Sequence, residues 1–136
     1  MPHLVTDIRK VESVQRKFTK RLPGCSHLSY PDRLVRLNLD SLVVRRLQHD
    51  LILAYKIVFG LTDMNPEDFF TFANSNHNTR GHAYKLLPSR VDVLKGFFAV
   101  RIVKPWNCLP AELHHFSNLS VIKSFVFSVL SDFVTC

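Results

Sequence analysis

A small, mainly α-helical domain is the fold this sequence predicts, on three observations. Apolar residues recur at intervals of three and four along much of the chain, and capping residues precede those runs. Glycine is scarce, four in 136 residues, which argues against a chain of tight β-turns. The expectation is a single domain over residues 1–136, of about four to six helices, with one polar loop and room for a short extended segment. With 46% hydrophobic and 21% charged residues the chain carries enough apolar surface for a core and is not composed like a disordered tail.

The elements follow in order. Thr6 caps a first helix, Asp7 suits its first turn, and Ile8, Val11, Val14 or Gln15, and Phe18 recur at helical spacing. Leu22-Pro23-Gly24 ends it, because proline cannot continue the ladder and glycine accepts the turn. Ser29 before Tyr30-Pro31 starts a short helical piece through Leu37. The clearest helix runs from Ser41 to Phe59, capped by Asp40 or Ser41, striped by Leu47, Leu51, Ala54 and Val58, and closed by Gly60. Asn65-Pro66-Glu67 reads as a cap and first residue of a short helix through Phe70. Residues 73–83 form the polar loop, and Tyr84 to Leu87 the extended segment. A helix over Asp92 to Val103 is expected to end or bend at Trp106 because of Pro105. The last helix starts near Asn118 or Ser120 and carries Ile122, Phe125, Val129 and Phe133, although Phe125 to Leu130 also tolerates a strand.

Charge is uneven. Residues 1–46 hold ten Lys/Arg against four Asp/Glu, hence +6 of the net +7. Such a half suits a polyanion, nucleic acid first among them, or a solvated face that keeps the chain in solution. Cys25, Cys108 and Cys136 are odd in number and widely spaced, so reduced thiols in the cytoplasm or nucleus are the expectation. No apolar leader opens the sequence, and the longest apolar run, Leu51 to Leu61, is interrupted by Lys56 and too short for a bilayer. Neither secretion nor a membrane partner is expected.

Catalytic patterns are missing. Two-metal polymerases and nucleases need converging carboxylates, whereas the closest acids here, Asp63, Glu67 and Asp68, sit where a helix start favours them anyway. No [FY]-x-D-D turn, phosphate-binding glycine loop or G-x-S-x-G elbow occurs. His77 with His82, and Cys108 with His114 and His115, lack the paired spacing of structural zinc. Eleven phenylalanines fall mostly outside the basic half, which favours core packing over stacking on bases. Trp106 to Pro110 reads as a helix end anchored on the core, and Arg80-Gly81-His82 as either a nucleic-acid contact or a plain turn.

Five strings occur in order: VQRKFTKRLPG (Val14 to Gly24), HLSYPDRLVRLNLDSL (His27 to Leu42), RRLQHDLILAYKIVFG (Arg45 to Gly60), TRGHAYKL (Thr79 to Leu86) and FFAVRIVKPWNCLP (Phe97 to Pro110). Together they resemble the segment that follows the polymerase palm in jockey-like non-LTR retrotransposon (LINE) reverse transcriptases, over about residues 2–130. The chain departs from that pattern in lacking a C-terminal zinc knuckle and in placing Pro105 before Trp106.

The resemblance implies a fragment of a larger RNA-directed DNA polymerase, thumb-side, with the catalytic palm and endonuclease upstream and absent. It implies no enzymatic activity, no cofactor and no metal. By analogy it gives Arg16, Lys17, Lys20 and Arg21 a phosphate-contacting role. The Lys/Arg excess of the N-terminal half itself leads to an expectation of weak, sequence-independent binding of RNA or DNA, with Arg9, Arg33, Arg36, Arg45 and Arg46 as further candidate contacts. A missing palm partner would leave an apolar face exposed on the first helix (Ile8, Val11, Val14, Phe18) and part of the last, with a tendency to self-associate. The alternative is a stand-alone helical protein-interaction module, or a relic without function.

Overall fold

The computed structural model describes residues 5–73, 82–88, 98–110 and 118–133, with side chains through 128 in the last stretch. The fold is mainly α. Among the described residues, six α-helices occur: α1 (Val5–Lys20), α2 (Tyr30–Leu37), α3 (Leu42–Val58), α4 (Phe98–Arg101), α5 (Val103–Asn107) and α6 (Leu119–Phe133). The chain forms two compact units, Met1–Arg46 and Leu47–Cys136, with α3 starting in the first and continuing into the second.

In the first unit α1 packs on α2. Ser29 caps α2 by accepting the Asp32 amide at 3.3 Å while its hydroxyl donates to Asp32 Oδ2 at 2.6 Å. Asn38 ends α2 in the left-handed region (φ 51°), which lets the Leu39 amide turn back to the Leu34 carbonyl at 2.9 Å. Gly24 also takes a positive φ, 73°, and a Cβ there would stand 2.9 Å from Arg36 Nη2.

The buried contacts of this unit are largely polar. Thr19, Cys25, Arg33 and Glu12 are its buried residues among those described. Arg33 donates to Thr19 Oγ1 (3.1 Å), the Leu28 carbonyl (2.6 Å) and the Arg16 carbonyl (3.2 Å). The Glu12 carboxylate accepts from the Tyr30 hydroxyl through one oxygen and from the Leu42 amide (2.9 Å) through the other. Gln15 donates to the Asp40 carbonyl at 3.0 Å and to the Tyr30 hydroxyl at 3.3 Å. On α1 the apolar stripe faces solvent instead: Val11, Val14 and Phe18 are 46%, 67% and 62% exposed, and Ile8 is half-buried.

The second unit has an apolar core. From α3 come Leu51, Ile52, Ala54, Tyr55 and Ile57; further along the chain come Phe70, Leu86, Ile102, Val103, Trp106, Leu109, Ile122 and Val126. The Ser41 hydroxyl accepts the Val44 amide at 3.3 Å, and Gly60 (φ 69°) closes α3. Leu47 and Val58 of the expected stripe are only half-buried, and the buried face also takes in Ile52, Tyr55 and Ile57. Asn65 caps a single 3-10 turn, Pro66–Asp68, shorter than the expected helix, although the Phe70 amide still reaches the Pro66 carbonyl at 2.9 Å. The extended segment is one antiparallel bridge, Phe72 to Leu86.

Trp106 is fully buried; its indole N–H donates to the Tyr84 carbonyl at 2.8 Å. Asn107 pairs with the Leu86 backbone in both directions, each bond 2.8 Å. Arg101 and Asp50 form a two-bond ion pair at 2.8 and 3.0 Å.

Three expectations need correction. Pro105 does not end a helix at Trp106: it lies inside α5, and the break falls at Ile102. The reason is that proline offers no N–H to the carbonyl four residues back, here that of Arg101, and its ring crowds that carbonyl. The last segment is helical through Phe133, so the strand reading of Phe125 to Leu130 falls; the Asn118 side chain caps it by accepting the Val121 amide at 2.9 Å. Finally, Cys108 is disulfide-bonded rather than reduced, while Cys25 is free and buried. Residues 74–81, 92–97 and 114–115, and the side chains of Val129 and Phe133, lie outside the described residues. No helix among the described residues is long and apolar enough to cross a membrane.

Candidate nucleic-acid interface

The basic half of the sequence coincides with the first unit: the ten Lys/Arg and four Asp/Glu of residues 1–46 all fall within it. At a helical step of about 100° per residue, Arg9, Lys10, Arg16, Lys17 and Lys20 share an arc of about 120° on α1. All five are exposed. Arg21 follows in the turn after the helix, also exposed. Lys17 and Lys20 in the last turn are favoured by the helix dipole as well, so their positions are stabilising without a ligand. Lys10 is absent from the candidates read from sequence yet shares the arc; a helical wheel alone would have found it.

The other candidates divide. Arg33 leaves the interface: it is 5% exposed, and its guanidinium is engaged by Thr19 and two backbone carbonyls. A buried cation with its donors so used holds α1 to α2 and cannot also grip a phosphate. Arg16 is exposed as a residue, but its guanidinium carbon lies 4.9 Å from the Tyr30 ring centroid, with that of Arg33 at 5.5 Å from the same ring. Tyr30 itself is held above the ordinary phenol pKa of 10.0 by burial first and then by its hydrogen bond to Glu12, so it remains a neutral donor. Arg36 is exposed at the end of α2, with its guanidinium close over Gly24. Arg45 is exposed and Arg46 half-buried on α3.

What the arrangement offers among the described residues is a row of long cations on one helix face. Among the described residues no three His, Cys, Asp or Glu side chains come together as a metal site. His82, a candidate ligand by sequence, is buried; its Nε2 meets the Trp106 carbonyl at 2.8 Å and its Nδ1 accepts the Tyr84 amide at 3.1 Å. Since a carbonyl only accepts and an amide N–H only donates, the ring is the neutral Nε2–H tautomer. Burial first lowers its pKa below 6.5. In a comparison with known proteins, no family model, no curated protein and no solved structure matches the chain.

Proposed function

We propose that this chain is a non-catalytic, thumb-side region of a jockey-like retrotransposon reverse transcriptase, and that its first unit holds nucleic acid by the phosphate backbone without reading sequence. The observation that carries the binding reading is the exposed basic arc of α1, within a unit of net charge +6. The order of the five strings supports the parentage. The absence of paired carboxylates and of an x-D-D turn in the sequence supports a non-catalytic role. The exposed Val11, Val14 and Phe18 favour one second reading, a stand-alone helical interaction module whose stripe meets a protein partner or another copy of itself.

Fluorescence anisotropy with labelled oligonucleotides over a range of salt tests the phosphate reading. Log affinity should fall linearly with log salt. Changing Arg9, Lys17, Lys20 and Arg21 together to Gln should weaken binding and flatten that slope by about 0.7–0.9 for each phosphate no longer neutralised. These four are chosen because, unlike Arg33, all are exposed. A wild-type chain that binds nothing at low salt, or a quadruple variant with an unchanged slope, rejects the reading. Apolar partner binding would show no such slope.

A further inference from the structure

We propose that Phe18 is a base-stacking platform, so that the first unit prefers single-stranded to double-stranded nucleic acid; this rests on the phosphate-binding reading above. Phe18 is the only phenylalanine in residues 1–46, and it is 62% exposed on the last turn of α1. The other aromatic of that stretch, Tyr30, has its hydroxyl bonded to Glu12 and its ring beside two guanidinium groups. Phe18 is therefore the aromatic face the unit presents outward.

Its surroundings carry the charge a strand requires. Lys17 precedes it about 100° round the helix and Arg21 follows in the turn after α1, whereas Lys20, about 160° away, lies on the other side of the helix. Lys17 and Arg21, both exposed, flank the ring along the chain, one on the last turn of α1 and the other in the turn after it. Val14 lies one turn earlier on the same stripe and Val11 beyond it, so an apolar floor continues from the ring alongside the cations. Glu12 does not oppose a phosphate from this helix, because both its carboxylate oxygens are engaged by Tyr30 and Leu42. Asp7 lies about three turns away toward the N-terminus. A strand following the C-terminal half of α1 thus meets cations and a ring together.

Stacking is open only to bases that are not already stacked in a duplex, and it tolerates any sequence because every base has a π-face. The ring consequently adds nothing to duplex binding, which the cations alone support.

The test uses the full chain, a short labelled oligothymidylate and a duplex of equal length at one salt concentration. Wild type should favour the single strand. Phe18→Ala and Phe18→Leu should each weaken it about 5- to 150-fold, the range that removal of a base–aromatic stack spans, with duplex binding unchanged. Phe18→Tyr should restore it. The exposed position leaves the buried residues of the unit untouched, and far-UV circular dichroism checks directly that each variant is folded. If Phe18→Leu keeps wild-type affinity, an apolar contact suffices and the stripe is a protein-docking surface instead, which overturns stacking. Equal losses for single strand and duplex overturn it too. Binding that disappears only in the quadruple charge variant would sink this inference while leaving the phosphate reading intact; a wild type that binds neither strand sinks both.

Discussion

The two units of the chain differ in what they bury: the first buries mainly polar side chains, whereas the second sets a large apolar core beside its buried Gln48, Asp50 and His82. Among the described residues of Met1–Arg46 the buried side chains are Glu12, Thr19, Cys25 and Arg33, three of them polar, and the stripe of Val11, Val14 and Phe18 is left outside. In Leu47–Cys136 the core is Leu51, Ile57, Ile102, Trp106, Ile122 and their apolar neighbours. The second unit draws its stability from area removed from water, which is non-directional. The first draws more of it from hydrogen bonds, which are directional and costly to leave half-made. The same helical period therefore has two meanings: on α3 the stripe points inward, on α1 it points outward.

The largest expected effect lies in the apolar unit. Trp106→Ala removes a fully buried indole and leaves the Tyr84 carbonyl without that donor. It should cost about 3–5 kcal/mol, enough to unfold a marginal domain. Urea denaturation followed by circular dichroism measures it; a loss below about 1 kcal/mol would show that the second unit does not depend on this core.

Arg33 is the corresponding test of the polar unit. Arg33→Met removes one side chain that satisfies three acceptors, so Thr19, Leu28 and Arg16 each lose a donor. The expected cost is about 2–4 kcal/mol. Arg33→Lys should rescue little, because a point-like ammonium cannot reproduce the planar fork. Hydrogen exchange in α2 is the measurement, and unchanged protection in Arg33→Met would mean that the polar contacts are incidental.

These two residues also show what the sequence could reveal. Trp106 is legible as a core anchor because a lone tryptophan before Leu109-Pro110 has few other uses in a helical chain. The mainly helical fold, the Ser29 and Asn65 caps and the Gly60 stop are legible because each depends on neighbours within a few residues. Arg33 is not: its partners are 5, 14 and 17 residues away, and before folding it resembles any cation suited to phosphate. The break at Ile102 escapes a reading of the sequence for a different reason, since proline acts on the carbonyl four residues behind it as much as on its own position. The basic arc of α1 is visible in the composition; which of its members face solvent is not.

A smaller effect comes from pH. His82 is bonded as a neutral ring on both nitrogens, and a second proton would have to displace the Tyr84 amide from Nδ1. With the folded pKa depressed below 6.5, the unfolded chain takes up the proton first. The stabilisation is thus fully present above pH 6.5 and is lost as pH falls from there through the lowered folded value. Urea midpoints measured above and below pH 6.5 should show that decline, and His82→Gln, which keeps a donor and an acceptor without titrating, should flatten it. An identical slope in the variant would assign the pH dependence to other groups.

The smallest expected effect is the most direct check on the contrast between the units. Val11 and Val14 would belong to a core if α1 obeyed the rule that α3 obeys, and replacing both with Gln would then remove buried hydrocarbon worth about 1.5–3 kcal/mol for each side chain. The structure places both in solvent, 46% and 67% exposed, with the buried face formed by Glu12 and Thr19 instead. Glutamine is also a better helix former than valine, because its unbranched Cβ loses less rotamer freedom. The double change should accordingly alter stability by no more than about 0.5 kcal/mol, the usual range for surface substitutions. Sedimentation velocity should at the same time show less association at high concentration, because the exposed apolar stripe is what a second copy or a larger partner would cover. A stability loss of the core size, with association unchanged, would mean that α1 turns its valines inward in solution, and the polar unit would then be held together in the same way as its neighbour.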